Sequence, residues 1–297
     1  MATKTLVRTD SRPSAVASRR RRRLSDVPYL ALLVLWAALT IGIFFWVTLN
    51  SFKANPEIFG NAWGLPEDPL GNVVRNYTTA WTIANMGGYF VNSLLVVSSS
   101  VILTVALAAP AAYALCRIPF LGQTPVLYYF IGGMGLPFQL ILVPLYAFLA
   151  DLGLVNSLIG LVLVFTAVSI PFTVLLLTGF MRSLPSELEE AAAVDGTSEL
   201  GIFFRIMMPI ATPGLFTAAI FNFVTMWQEY LLTSLLITSD ENRTLPVGLM
   251  GMRQSLQYSG DWAAMFAGVV IVVVPSLVVF VLLSNRIMSG LTMGTGK

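Results

Sequence analysis

The sequence predicts an all-α fold: a polytopic membrane protein with six transmembrane helices and one structured cytoplasmic loop. Three observations carry that expectation. Of the 297 residues, 56% are hydrophobic and only 11% charged, where a soluble domain carries about a quarter charged residues. Six apolar runs reach the ~20 residues that a helix needs to cross a hydrocarbon core. The basic residues gather in alternate connecting segments, as they do in chains threaded repeatedly through a bilayer.

Residues 1–28 form a tail apart from the membrane domain at 29–297. They hold eight of the 17 Lys and Arg residues, including Arg19, Arg20, Arg21, Arg22 and Arg23, with almost nothing apolar to bury. A disordered basic cytoplasmic tail is expected. The membrane span that starts directly behind it accounts for the charge better than nucleic acid does, so no nucleic-acid partner is expected. The first run, 29–49, is too long for a signal peptide, and no small-x-small cleavage site follows it. It reads as a retained helix.

The remaining runs are 90–115, 125–149, 158–181, 211–237 and 264–288, each expected as one span. Pro110, Pro137, Pro144, Pro171 and Pro275 lie inside them and should kink them, because proline lacks the N–H that closes a helical turn. With the amino terminus inside, the cytoplasmic segments hold the tail together with Arg117, Arg182, Arg205, Arg286 and Lys297. The external loops hold only Lys53, Arg75, Arg243 and Arg253. This bias places both termini in the cytoplasm, which requires an even number of spans. The external segments 50–89 and 239–262 are long enough to dock a partner.

One cysteine, Cys116, and no histidine exclude an internal disulfide, histidine-based metal sites and a Ser-His-Asp triad. No enzyme and no resident metal are expected. The ending Gly290 to Lys297 resembles a phosphate loop only superficially: the spacing to Gly296-Lys297 is one residue too long, no Ser or Thr follows and no strand precedes.

Acidic residues concentrate at one place beside a span, the cytoplasmic loop at about 183–209. Ser186 with Glu189 fits a capping box, and Glu187, Glu189 and Glu190 suit the positive end of a helix dipole. A helix is expected over 187–194, then a turn at Gly196, where glycine can take the left-handed conformation. A second helical piece should run from Thr197 to near Pro209. On the first helix Leu188, Ala191, Ala192 and Asp195 share a face, which is small enough for another protein to approach closely.

Glu190-Ala191-Ala192, Gly196, Ile206 and Pro209 stand at the spacing E-A-A-x3-G-x9-I-x-L-P. This closely resembles the EAA motif of ABC importer permeases, with Met208 as the one departure, a volume-conserving change. Further likeness to the MalG-like carbohydrate uptake branch lies in Asn92-Ser93, in Ala112 to Arg117, in Pro144-Leu145-Tyr146, in Trp227-Gln228-Glu229-Tyr230, where the branch commonly has asparagine at the position of Gln228, and in Gly290-Leu291. The resemblance implies a permease subunit of an ATP-driven importer in the bacterial inner membrane, with a sugar as cargo. It also implies that Glu190, Ala191, Ala192, Asp195, Gly196, Ile206 and Pro209 form the loop coupled to an ATPase. The implied partners are a second homologous permease subunit, two cytoplasmic ATPase subunits carrying ATP with magnesium, an extracytoplasmic solute-binding protein and membrane lipid.

Polar groups inside a span mark a pathway or a contact between helices. The fifth run is densest in them, with Asn222, Thr225, Trp227, Gln228, Glu229 and Tyr230, and Glu229 is the only acidic residue in any run. Aromatic rings and hydrogen-bonding groups together suit a sugar. A self-contained secondary transporter or channel is the alternative, but a lone carboxylate without histidine offers little for a coupling-ion site.

Overall fold

A computed structural model describes residues 27–135 and 137–293, with side-chain burial left undescribed at 255–259 and 284–293. The basic tail up to residue 26 and the Gly296-Lys297 ending lie outside the described residues. The chain divides into two units, 1–45 and 46–297. The described part of the first is the leading portion of helix α1, Val27–Ser51, which is apolar and exposed around its circumference. Such a surface suits lipid and not water.

In the second unit every element among the described residues is helical. Helix α2 spans Asn55–Gly60 and α3 Pro69–Thr78, before a π-helical stretch at Thr79–Ile83. Next come α4, Met86–Arg117, and α5, Gln123–Gly135, followed by a 3-10 turn at Phe138–Ile141 and α6, Leu142–Asp151. Helix α7, Leu158–Arg182, leads to the short α8, Glu187–Val194, and α9, Glu199–Ile202. A π stretch at Phe203–Met207, α10 at Met208–Ile210 and α11 at Thr212–Trp227 then run nearly continuously. The chain closes with α12, Leu231–Leu236, α13, Leu245–Ser259, and α14, Trp262–Met293.

Helix α4 packs along α7, and α11 lies against α4, α7 and α14. The close approach has a cause in the sequence of α4. Ser100, Thr104, Ala108 and Ala112 recur at every fourth position and are all fully buried. Small side chains in one row let two backbones come together without a hydrophobic driving force, which lipid does not supply. Two apolar cores form in this framework. One, at the Met86 end of α4, gathers Val96, Val97, Leu161, Phe165, Trp227 and Leu236. The other, at the Arg117 end, gathers Ala108, Ala112, Leu177, Met181, Phe203 and Met207.

Two of the expected spans are broken. Residues 125–149 divide at Pro137, and the two parts meet at 90°. The proline ring and the neighbouring Gly132, Gly133 and Gly135 leave that stretch poor in helix-stabilising groups. Among the described residues, five helices are long and apolar enough to cross a membrane, and six spans result when this bent pair counts as one. The fifth run breaks as well, at Gln228–Tyr230, between α11 and α12.

The segment 50–89 is a built structure. Lys53, expected as a loop charge, is fully buried, and its Nζ donates to the carbonyls of Asn61 and Ala62 at 3.0 Å each. Asn76 donates to the carbonyls of Ser51 and Lys53, both at 2.9 Å. Glu57 accepts from the Ala54 N–H at 3.1 Å, the Glu67 N–H at 2.9 Å and the Asn72 amide at 3.2 Å. Asn55 accepts from the Ala263 N–H at 2.9 Å, tying α2 to the start of α14. At the same end, Asn92 donates to the carbonyls of Glu241 and Arg243, and Ser93 Oγ accepts from the Leu245 N–H. These two residues, notable in the sequence only for a family likeness, hold the 239–245 turn against α4.

Two predictions follow from this packing. A Cβ at Gly248 would lie 2.0 Å from the Tyr89 ring, whereas one at Gly132 would meet nothing within 4 Å. Gly248→Ala should lower stability in detergent by about 1–3 kcal/mol, read as a drop in melting temperature that Gly132→Ala does not show. The Glu67 N–H, with the Ala54 N–H, the Asn72 amide and the Lys53 charge, outweighs burial and holds the Glu57 carboxyl below its ordinary value of 4.5. A carboxylate lowered on folding stabilises the fold above its ordinary pKa and loses that contribution as pH falls through the lowered value. Glu57→Gln should therefore melt earlier than the parent at neutral pH, and the gap should close on acidification.

Candidate functional site

The acidic loop forms helix α8 with the bounds expected from its sequence, and the turn behind it is a Schellman motif. The Gly196 N–H donates to the Ala193 carbonyl and the Thr197 N–H to the Ala192 carbonyl, both at 3.0 Å. Gly196 adopts φ +79°, a conformation that a Cβ disfavours. The second piece starts two residues later than expected, at Glu199, where the Ser198 hydroxyl accepts from the Gly201 N–H. It also does not stop near Pro209. The helix shifts to π register over Phe203–Met207, directly before the proline that cannot donate its backbone hydrogen bond, and continues towards α11.

The expected capping box is absent. Ser186 makes no side-chain cap, since its backbone already takes the helical φ −77° and ψ −19° in place of the extended conformation of a capping residue, and Glu189 turns away from the helix start. Its Oε1 lies 2.9 Å from Nε of Arg117, the last residue of α4, with both side chains largely buried. Its Oε2 accepts from the Tyr113 hydroxyl at 3.3 Å. The Arg117 fork also donates to the carbonyls of Met181, at 2.9 Å, and Leu184. Met181 lies in the last turn of α7 and Leu184 two residues beyond its end, where the helix dipole favours a cation. One guanidinium thus joins α4, α7 and α8. The pairing of Arg117 and Glu189 could not be read from residues that lie far apart in sequence, although Arg117 is the first charge after a long apolar run.

The predicted docking face is redistributed too. Leu188, Glu190, Ala191, Asp195 and Gly196 are exposed, but Ala192 is buried among Ile202, Phe203 and Met207. The 100° step between helical residues turns it inward once Glu189 is anchored. Ile206 is half-buried and Pro209 exposed. Three exposed apolar residues not singled out from the sequence join the accessible face: Val194 at 88%, Leu200 at 71% and Phe204 at 62% exposure. Their signal was present, as large apolar side chains in a stretch otherwise rich in Glu, Asp, Gly, Thr and Ser.

The six polar or aromatic residues of the fifth run do not converge. Asn222 is buried and donates to Thr173 Oγ1 and the Ala218 carbonyl, both at 2.9 Å. The Trp227 indole is buried as well, with its N–H donating to the Val272 carbonyl at 2.9 Å and its ring stacked on Phe223. Both residues therefore face helices of this chain. Thr225, Gln228 and Tyr230 are exposed, while Glu229 is half-buried and accepts the Leu232 N–H at 2.8 Å, starting α12. A separate apolar cavity of about 490 Å³ lies between α5, α6 and α7, lined by Tyr129, Phe138, Leu145, Leu163 and Pro171 among others.

Comparison with known proteins agrees with this architecture. The chain is 39% identical over 274 residues to the diacetylchitobiose uptake system permease protein NgcG of Streptomyces coelicolor, covering 92% of this chain and 89% of the relative. It is 33% identical to the sulfoquinovosyl glycerol transport system permease protein SmoH of Agrobacterium fabrum, covering 84% of this chain and 86% of that one. In fold it is similar to a chain in the crystal structure of a bacterial ABC transporter involved in the import of the acidic polysaccharide alginate, with a TM-score of 0.75 at 20% identity, over 89% of this chain and 98% of that chain. Residues 105–285 match the family model described as binding-protein-dependent transport system inner membrane component, and with its several membrane-crossing helices the chain belongs to that family of multi-pass inner-membrane permeases.

Proposed function

We propose that the chain is the permease subunit of an ATP-driven ABC importer that passes a sugar, of oligosaccharide class, from an extracytoplasmic solute-binding protein across the membrane. A second, homologous permease subunit of different sequence completes the pathway. Two cytoplasmic ATPase subunits hold ATP with magnesium, and this chain itself holds no cofactor. Both termini, the Arg117 end of α4 and helix α8 then lie in the cytoplasm, consistent with the distribution of basic residues.

The observation that carries this reading is α8 itself. It is a short helix whose one side is rooted in a buried ion pair while its other side, with Glu190, Ala191, Asp195 and Gly196 beside Val194, Leu200 and Phe204, stands exposed. An amphipathic helix resting on lipid headgroups usually presents Lys or Arg. This one presents carboxylates flanked by apolar groups, a surface suited to a protein cleft. The relatives named for diacetylchitobiose and for sulfoquinovosyl glycerol support a glycosidic cargo. In this chain Thr225, Gln228 and Tyr230, with Glu229 beside them, offer hydroxyl, amide and ring groups on the exposed side of the fifth span, and these suit sugar hydroxyls and ring faces.

Affinity purification of the tagged chain from native membranes in mild detergent should recover an ATPase subunit and a second permease. Recovery of the intact chain alone would favour a self-contained transporter. Proline cannot adopt φ +79° or supply the N–H that Gly196 donates. Gly196→Pro should therefore abolish uptake in correctly inserted protein, while Gly196→Ala, with open space around its Cβ, should lose only about 1 kcal/mol of stability.

A further inference from the structure

The Arg117 node differs from an ordinary surface salt bridge in position and in valence. Arg117 and Glu189 retain only 15% and 14% side-chain exposure. The guanidinium of Arg117, the last residue of α4, serves a carboxylate on α8 and the carbonyls of Met181, in the last turn of α7, and Leu184, just beyond it. A planar fork can hold several acceptors in a fixed arrangement, which an ammonium point charge cannot. Around it, the Tyr113 ring packs on Phe203 with centroids 5.1 Å apart, and Ala192 closes the space beneath α8. Helix α8 also contacts α9 and the Phe203–Met207 stretch, which lead towards α11. The Arg117 node is its polar tie to α4 and to the end of α7.

We propose that Arg117 and Glu189 are a positioning pair that makes α8 and the Arg117 ends of α4 and α7 move as one body, so that displacement of α8 reaches the membrane helices. Neither residue touches cargo or nucleotide. The inference rests on the reading of α8 as the segment moved by the ATPase, and it adds the route by which the motion leaves α8. The row Ser100, Thr104, Ala108 and Ala112 then carries it onward, since α4 and α7 are too closely packed to slide independently.

The test uses the assembled transporter with its ATPase subunits, in lipid nanodiscs, with spin labels at Glu187, which starts α8 and is not among the residues of the docking surface, and at Leu121 just beyond α4, in a Cys116→Ser background. Both labelled positions are exposed. In the parent, the distance between the labels should stay constant on adding magnesium-ATP with vanadate. In Glu189→Gln the nucleotide-free distance should match the parent, and nucleotide should change it by about 5 Å, one helical turn. A role confined to local packing would alter both states equally, and that result overturns the proposal. So does a parent in which the distance already changes with nucleotide, or a Glu189→Gln variant that stays rigid. If Glu189→Gln does not assemble, Arg117→Lys, which keeps the charge and loses the fork, is measured in its place under the same criteria. Failure of both variants to assemble would make the pair a folding element and overturn the inference. Absence of any ATPase subunit from the purified parent would instead overturn the reading of the chain as an importer subunit.

Discussion

A single guanidinium organises the end of the molecule where α4, α7 and α8 meet. Arg117 ends an apolar helix of 32 residues, so its charge must find partners close to the edge of the hydrocarbon region. It takes up the carbonyls of Met181 and Leu184, at and just beyond the end of α7, and a carboxylate from α8. Removing one member of a largely buried pair leaves the other charge uncompensated, at a typical cost of about 3–5 kcal/mol. With Glu189 drawn inward, Ala192 packs beneath the helix, and Glu190, Ala191 and Asp195 are left facing outward.

The rest of the membrane domain supplies a stiff frame for that end. Between lipid-facing helices there is no water to expel, so association rests on close packing and on hydrogen bonds between polar groups. Both are present along α4 and α7. The small-residue row brings the backbones together, and the bond from Asn222 to Thr173 ties α11 to α7. At the other end, Tyr89, Asn92 and Ser93 of α4 and Asn156 of the α6–α7 link hold the 239–245 turn and the residues leading into it. Helix α4 is thus the common element of both ends.

Much of this was legible in the sequence because it follows from local rules. A bilayer demands long apolar helices, and those runs stand out. Helix α8 follows from the acidic residues that favour a helix start, and its turn from the freedom of glycine to take positive φ. The breaks were less legible. Pro137 was expected to kink a span, yet whether a proline bends a helix gently or ends it depends on what neighbouring helices offer the freed carbonyls. The Gln228–Tyr230 break carried no proline at all, and its carboxylate caps a new helix.

What the sequence by itself determined is the class of molecule, the number and order of its spans, the acidic helix and the motif that places the chain in its family. Each of these depends on neighbours a few residues apart or on total apolar length. Only the tertiary structure decided which groups of that helix face outward, that Glu189 serves Arg117 and not its own helix start, and that Asn222 and Trp227 are used within the core. Those outcomes are contests between partners distant in sequence, settled by burial. A charge or amide near hydrocarbon bonds with whatever the fold brings within reach, and local spacing does not record what that will be.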